Sequence, residues 1–168
     1  MSTKKTLILN NLEISQKIDR IAYQILEDNH KEKEIVVVGI ANNGYLFAEK
    51  IVAKLKNISD VKITTVKLTL NKSNPLSEDI YIDKSTDILS DKVIMLVDDV
   101  FNSGRALIYG VTYLLNFPIK RMSTVVLVDR NNKRYPIGTH YIGLALSTTV
   151  QNHISVEFTK GEMAAYLD

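Results

Sequence analysis

Two adjacent carboxylates at the end of an apolar run are the side chains in this sequence best placed to do chemistry. The segment is Val93-Ile94-Met95-Leu96-Val97-Asp98-Asp99-Val100-Phe101-Asn102-Ser103-Gly104-Arg105-Ala106. It reads as a buried strand that delivers Asp98 and Asp99 to its carboxyl end, a short polar turn, and the start of a helix. The backbone amides of Ser103 to Ala106 then fall at a helix N-terminus, where unpaired N–H groups and the helix dipole bind phosphate. Gly104 lets the backbone come close to such an anion. Carboxylates repel phosphate but accept hydrogen bonds from neighbouring sugar hydroxyls. The acidic pair and the 103–106 turn together therefore suit a ribose 5-phosphate, with sugar on the acids and phosphate in the turn. An isolated Asp-Asp would more simply cap the following helix; the whole strand–acid–acid–loop–helix order is what points to chemistry.

Several elements must position that segment. Leu12, Ile14, Ile18, Ile21, Ala22, Ile25 and Leu26 recur at helical spacing, with Asn10 or Asn11 as the cap. Ile35–Val38 is a β-branched run of the kind covered on both faces. Leu46, Ala48, Ile51, Val52 and Leu55 form a second helical stripe, and Val61–Leu70 reads as a strand. Asn71–Ser90 is polar and contains Pro75, the composition of a functional loop or an exposed hairpin, with Ile80-Tyr81-Ile82 as a brief strand. After Val93–Val97 comes a helical stripe through Leu107, Val111, Leu114 and Leu115 that stops before Pro118. Thr124–Val128, Tyr141–Leu146 and Ile154–Phe158 read as further strands. Alternating strands and helices predict an α/β fold: a central, mainly parallel sheet flanked by helices on both faces. Ligands in such sheets bind beyond the carboxyl ends of the strands, which singles out the loops after Val38, Val97 and Val128.

Composition bounds this reading without adding chemistry. The 168 residues, 45% hydrophobic, predict one domain over 1–168, and 7 Gly with 3 Pro exclude collagen-like or low-complexity chains. Apolar runs such as Val93–Val97 fall far short of the ~20 residues that span a bilayer. Lys4 and Lys5 are followed by no signal-peptide core. The absence of cysteine removes disulfides and thiolate chemistry and is compatible with a reducing cytoplasm. A net charge of +2 is too small to argue for nucleic acid, and Lys17, Arg20, Lys120 and Arg121 look scattered rather than gathered on an RNA-binding face. His30, His140 and His153 show no metal-ligand spacing.

The 93–106 segment resembles the phosphoribosyl pyrophosphate (PRPP) signature of type I phosphoribosyltransferases. In order and spacing the rest of the chain, from the first helix to Tyr141-Ile142-Gly143, is similar to the bacterial pyrimidine operon regulator/uracil phosphoribosyltransferases and more distantly to hypoxanthine phosphoribosyltransferases. The resemblance implies that a nucleobase nitrogen displaces pyrophosphate from C1 of PRPP, with Mg2+ held mainly through PRPP and water and no direct metal ligand in the protein. Asp98 and Asp99 would orient the ribose and favour its developing positive charge. Asn102, Ser103, Gly104, Arg105 and Ala106 match the 5-phosphate loop, and Ala41, Asn42, Asn43 and Gly44 the pyrophosphate loop. Residues 71–90 match a mobile loop, to which Lys67 and Lys72 would bring charge. Asp129, Tyr141 and Ile142 fall where the family binds the base, although Asp129 equally suits a turn cap with Asn131 and Asn132, and an aromatic also favours a strand on its own account. A small C-terminal hood over about 131–168 and a homodimer or homotetramer are implied as well.

Departures shape the expected function. Asn102 stands where purine enzymes carry Asp, and an amide takes no proton near neutral pH. Asp129-Arg130 is shared with the pyrimidine relatives, so uracil is the favoured base. Ala106 replaces the usual Thr, a loss on the order of 1 kcal/mol at a charged site. The 41–44 loop lacks a basic residue, and Asn71-Lys72-Ser73-Asn74 stands where an Arg beside an aromatic is usual. Those losses set a second expectation beside the enzyme: a PRPP- or nucleotide-binding regulator with little turnover, with RNA as a disfavoured partner.

Overall fold

The computed structural model describes residues 4–159 and 161–168. Strand β1 (Thr6–Leu9) leads into helix α1 (Asn11–Asp28), whose start is written in the sequence. The Asn10 side chain accepts from the Glu13 amide at 2.9 Å and the Glu13 carboxylate accepts from the Asn10 amide at 2.8 Å, a reciprocal capping box. The helix buries Ile14, Ile18, Ile21, Ala22 and Ile25, the stripe expected from their spacing. Then follow β2 (Glu34–Ile40), α2 (Asn43–Ile58), β3 (Lys62–Thr69), β4 (Tyr81–Ile82), a 3-10 turn (Thr86–Leu89), β5 (Val93–Phe101) and α3 (Arg105–Leu114). Strands β6 (Arg121–Asp129), β7 (Tyr141–Ala145), β8 (Ile154–Thr159) and β9 (Glu162–Leu167) complete the order.

Six strands form the central sheet in the order β4-β3-β2-β5-β6-β7, all parallel except β4, which runs antiparallel to β3. Alternation within one strand explains the unbroken apolar runs. Ile35 and Val37 of β2, with Val93, Met95 and Val97 of β5, join the core beneath α1 and α2. Val36 and Val38, with Ile94 and Leu96, point the other way into the core with Leu107 and Leu114 of α3. A strand apolar at every position is thus buried on both faces. The expected α/β sheet with helices on both faces is present. From β2 the chain crosses to β3 on one side, while β5 lies on the other. The strand order therefore reverses between β2 and β5, and a crevice opens there at the carboxyl ends.

Two expected boundaries are corrected. Residues 71–90 do not form one loop, because β4 folds back on β3 and Leu89 is fully buried; the exposed part lies between β3 and β4. The hood is not the whole of 131–168, because β7 pairs in parallel with β6 inside the main sheet. The second sheet is antiparallel, in the order β1-β9-β8, so it is completed by a strand from the other end of the sequence. Strand β9 is Glu-Met-Ala-Ala-Tyr-Leu, rich in helix formers, and its pairing with β8 across the turn at Gly161 overrides that propensity. Among the described residues no helix is long and apolar enough to cross a membrane.

Candidate active site

At the crevice each strand runs directly into a helix. Strand β5 ends in Asp98-Asp99-Val100-Phe101, and Asn102-Ser103-Gly104 turns the chain into α3. Gly104 has φ +88°, and a Cβ there would stand 2.7 Å from Ile137 Cγ2 and 3.1 Å from the Phe101 ring. Glycine is needed for both the left-handed backbone and the space. The Ser103 hydroxyl accepts from the Arg105 amide at 3.3 Å, and the Ser103 carbonyl accepts from the Arg134 amide at 2.8 Å. The segment after β6 is thereby stitched onto the 102–106 turn.

From the other side, α2 drives its first turn onto the acidic pair. A Cβ on Gly44 would lie 2.8 Å from Asp98 Oδ1 and 2.9 Å from both Asp98 Cα and the Val97 carbonyl oxygen. The Ala41–Asn42 peptide is cis. The Asn43 side-chain amide donates to the Val156 carbonyl at 2.8 Å and so ties α2 to hood strand β8. Between these elements lies a cavity of about 570 Å³, bounded by Lys72, the acidic pair, the 100–107 segment, Arg130, Arg134 and the hood residues 153–156.

Charge is concentrated at its floor. Asp98 and Asp99 are 2% and 8% exposed. The Lys72 ammonium lies 2.7 Å from Asp98 Oδ1 and 3.5 Å from Asp99 Oδ1. Burial pushes the Asp98 carboxyl up to about 7; Lys72 pulls it down and the neighbouring Asp99 adds to the rise. Burial works against the Lys72 ammonium, but the two carboxylates outweigh it and hold its pKa above the ordinary lysine range. Arg105 donates to the Ser73 carbonyl at 2.8 Å and to the Tyr135 hydroxyl at 3.3 Å. Arg130, 4% exposed and with its pKa lowered by burial, donates to the Asn102 side-chain oxygen, to Thr148 Oγ1 at 3.0 Å and to the carbonyls of Thr149 and Asn152.

The structure thus brings together Asp98, Asp99, Asn102 to Ala106, Asn43 and Lys72 around one cavity, with Gly44 pressed against the acids. Ala41 and Asn42 stay in the turn behind, the Ala41 amide donating to the Leu68 carbonyl at 2.9 Å. Four expected residues go elsewhere. Lys67 is absent from the cavity lining, its ammonium lying 4.8 Å from the centre of the Tyr45 ring, a cation–π contact. Asp129 caps a turn: its carboxylate accepts from the Asn131 amide at 2.8 Å and from Thr139 Oγ1 at 3.2 Å. Tyr141 pairs with Val125 in the middle of β6 and faces α1, its hydroxyl donating to Asp28 Oδ2 at 2.7 Å. Ile142 pairs with Val126, and its carbonyl accepts from Arg20 at 2.9 Å. None of these four lines the cavity. Burial and Asp28 together raise the Tyr141 pKa well above the usual phenol range, as suits a structural donor. Tyr141→Phe is therefore expected to lower stability by about 1–2 kcal/mol, read by urea unfolding, without altering the lining of the cavity.

Sequence reading missed Arg130, Arg134 and the hood residues 153–156. The pairing of Asp129 with Arg130 was a signal for the first, whereas the hood depends on strands distant in sequence. A site for Mg2+ can be tested on the donors present. The two carboxylates suit a hard cation. Among the described residues, however, no third His, Asp, Glu or Cys joins them in a metal-holding group, so the pair alone would supply only part of a cation's coordination.

The phosphoribosyl transferase domain family matches residues 5–159. The chain is 30% identical over 165 residues to the bifunctional protein PyrR of Streptococcus pneumoniae strain CGSP14, covering 95% of this chain and 92% of that protein. A solved hypoxanthine-guanine phosphoribosyltransferase of Bacillus anthracis shares the fold at TM-score 0.71 and 18% identity, covering 87% of this chain and 84% of that one. A hypoxanthine phosphoribosyltransferase of Trypanosoma cruzi does so at TM-score 0.75 and 15% identity, with coverage of 89% and 84%. The acidic pair, the amide-lined turn and the switch-point crevice are thus those of a chain that belongs to the type I phosphoribosyltransferase family.

Proposed function

We propose that this phosphoribosyltransferase moves ribose 5-phosphate from PRPP to a nucleobase, uracil favoured, with release of pyrophosphate. The observation that carries the reading is the seating of Asp98 and Asp99 beside the 103–106 amides and against the first turn of α2. The 5-phosphate rests on the N-terminal amides of α3 with Arg105 beside it. The sugar hydroxyls donate to Asp98 and Asp99. The base nitrogen forms its bond to C1 as the bond from C1 to the pyrophosphate oxygen breaks. Positive charge grows on the ribose during that exchange, and buried carboxylates stabilise it more strongly than water-exposed ones. A Mg2+ ion, which the Asp98 and Asp99 carboxylates would help to hold together with the substrate and water, would supply neutralising charge to the departing pyrophosphate. Arg105, Arg134 and Lys72 border the cavity and offset the basic residues missing from the 41–44 loop.

Asn102 supports a pyrimidine. Its side-chain oxygen is engaged by Arg130, and its amide has no basic form to take a proton from a purine nitrogen. The similarity to a protein named bifunctional protein PyrR supports the same choice, while the solved relatives carry purine names. Incubation with PRPP, Mg2+ and radiolabelled uracil, hypoxanthine or guanine tests it. Nucleotide from uracil is expected; a folded protein that makes none from any base would overturn the proposal. The same reading carries a homodimer or homotetramer, checked by light scattering.

One observation favours a second reading, a PRPP- or nucleotide-binding regulator with weak turnover: Lys72 already occupies the acidic pair. Calorimetric binding of PRPP without product would select it. RNA is not favoured as the partner of such a regulator. Arg20 is spent on the carbonyls of Ile142 and Gly143, Arg121 on Asn29 and Lys120 on Glu32.

A further inference from the structure

We infer that Lys72 is the resident counter-cation of the acidic pair and keeps free divalent cations out of the site until a ligand lifts the segment that carries it. The segment is built to hold the ammonium in place. Leu70, at its base, is buried. The Asn71 side-chain oxygen accepts from the Ser73 amide at 3.1 Å, the Ser73 hydroxyl at 3.0 Å and the Asn74 amide at 3.0 Å, which fixes a tight turn with Lys72 inside it. The Ser73 carbonyl is then gripped by Arg105 at 2.8 Å from the opposite wall. Two contacts, Lys72 on the acids and Arg105 on Ser73, therefore latch residues 71–74 across the cavity.

The ammonium stands where an added cation would have to go. It lies 2.7 Å from Asp98 and 3.5 Å from Asp99, while two of the arginines around the cavity are committed elsewhere: Arg130 to Asn102 and the 148–152 turn, Arg105 to Ser73 and Tyr135. A tethered cation is always present at high local concentration, so a free ion must displace it to bind. On the reading proposed above, the latch uses the two groups that a phosphoribosyl ligand needs, the carboxylates for its hydroxyls and Arg105 for its phosphate. A ligand that takes both releases Lys72, and a divalent cation follows with it. In the enzyme, cation entry thus becomes conditional on substrate.

Titration of the free protein with Mn2+, followed by electron paramagnetic resonance, tests this without substrate or turnover. The wild type is expected to take up no Mn2+ in the range where Lys72→Gln and Lys72→Met do, with affinity at least about tenfold tighter in those variants because a repelling charge at contact distance is gone. Lys72→Arg, which keeps the charge, should behave as wild type. Adding Asp98→Asn to Lys72→Gln should abolish the gained site. Equal Mn2+ affinity in wild type and both neutral variants would overturn the inference, as would a gained site that survives Asp98→Asn. Failure to form nucleotide from any base would instead strike the proposed function and leave the Mn2+ result as it stands.

Discussion

The double variant Asp98→Asn, Asp99→Asn is expected to lose nucleotide formation by at least about 10³-fold and yet to unfold at a higher temperature than wild type at pH 8. The two effects have one cause. Both side chains are buried at the end of β5, and Asp98 has its carboxyl pushed up to about 7, against an ordinary value of 3.8. Between those two values the folded protein holds a proton that the unfolded chain has lost. Stability therefore falls as pH rises through that window, and the loss is complete above about 7. Asparagine has no proton to lose, so the advantage of the variant grows from pH 4 to pH 8. Lys72 is left without its partners and takes back part of the gain, so the net is on the order of 2 kcal/mol at pH 8, or several degrees in Tm.

Catalysis has the opposite sign. The ionised carboxylate is the form that stabilises a positively charged ribose, so wild-type kcat/KM should rise with pH through about 7. Thermal unfolding at pH 5 and pH 8, alongside nucleotide formation, checks both halves. A stability difference that does not change with pH would contradict the burial account, and retained turnover would place the chemistry elsewhere.

The second large effect is expected at a residue with no side chain. Gly44→Ala puts a carbon at 2.8–2.9 Å from Asp98 Oδ1, Asp98 Cα and the Val97 carbonyl, and two of those three are backbone atoms that cannot swing away. Either the start of α2 or the end of β5 must move. Overpacking of this kind costs about 1–3 kcal/mol. A displacement of the acidic pair on the order of 1 Å costs about 10²-fold in turnover. Gly138→Ala is the matched control, since a Cβ there meets nothing within 4 Å. Equal Tm and equal turnover for the two alanine variants would show that the contact between α2 and β5 is not a constraint.

The parts of this molecule legible in its sequence are those whose geometry is local. The strand, the acidic pair, the 102–106 turn and α3 are contiguous, so their order can be read from Val93–Ala106 alone, although neighbouring elements hold the segment in place. The same holds for the Asn10–Glu13 cap. What was not legible depends on which face a side chain takes. Tyr141 and Ile142 are neighbours on one strand and point to opposite faces; the register against Val125 and Val126, not the residue types, turns Tyr141 toward Asp28 beneath α1. Lys67 is decided in the same way, by the Tyr45 ring that α2 places over it. Arg130 is picked out in the sequence only by its pairing with Asp129, and the closing of the 148–152 turn over it makes it a buried clamp on Asn102.

Strand β1 has a consequence for the order in which this protein acquires its parts. Among the described residues Thr6–Leu9 pairs only with Glu162–Leu167, whereas the central sheet needs nothing beyond Ala145. Contacts so distant in sequence carry a high loop-closure cost, so the β1–β9 pairing is expected to form later in folding than the central sheet and its acidic pair. The hood that roofs the cavity is thus expected to be the part slowest to form, with the phosphate turn already in place beneath it.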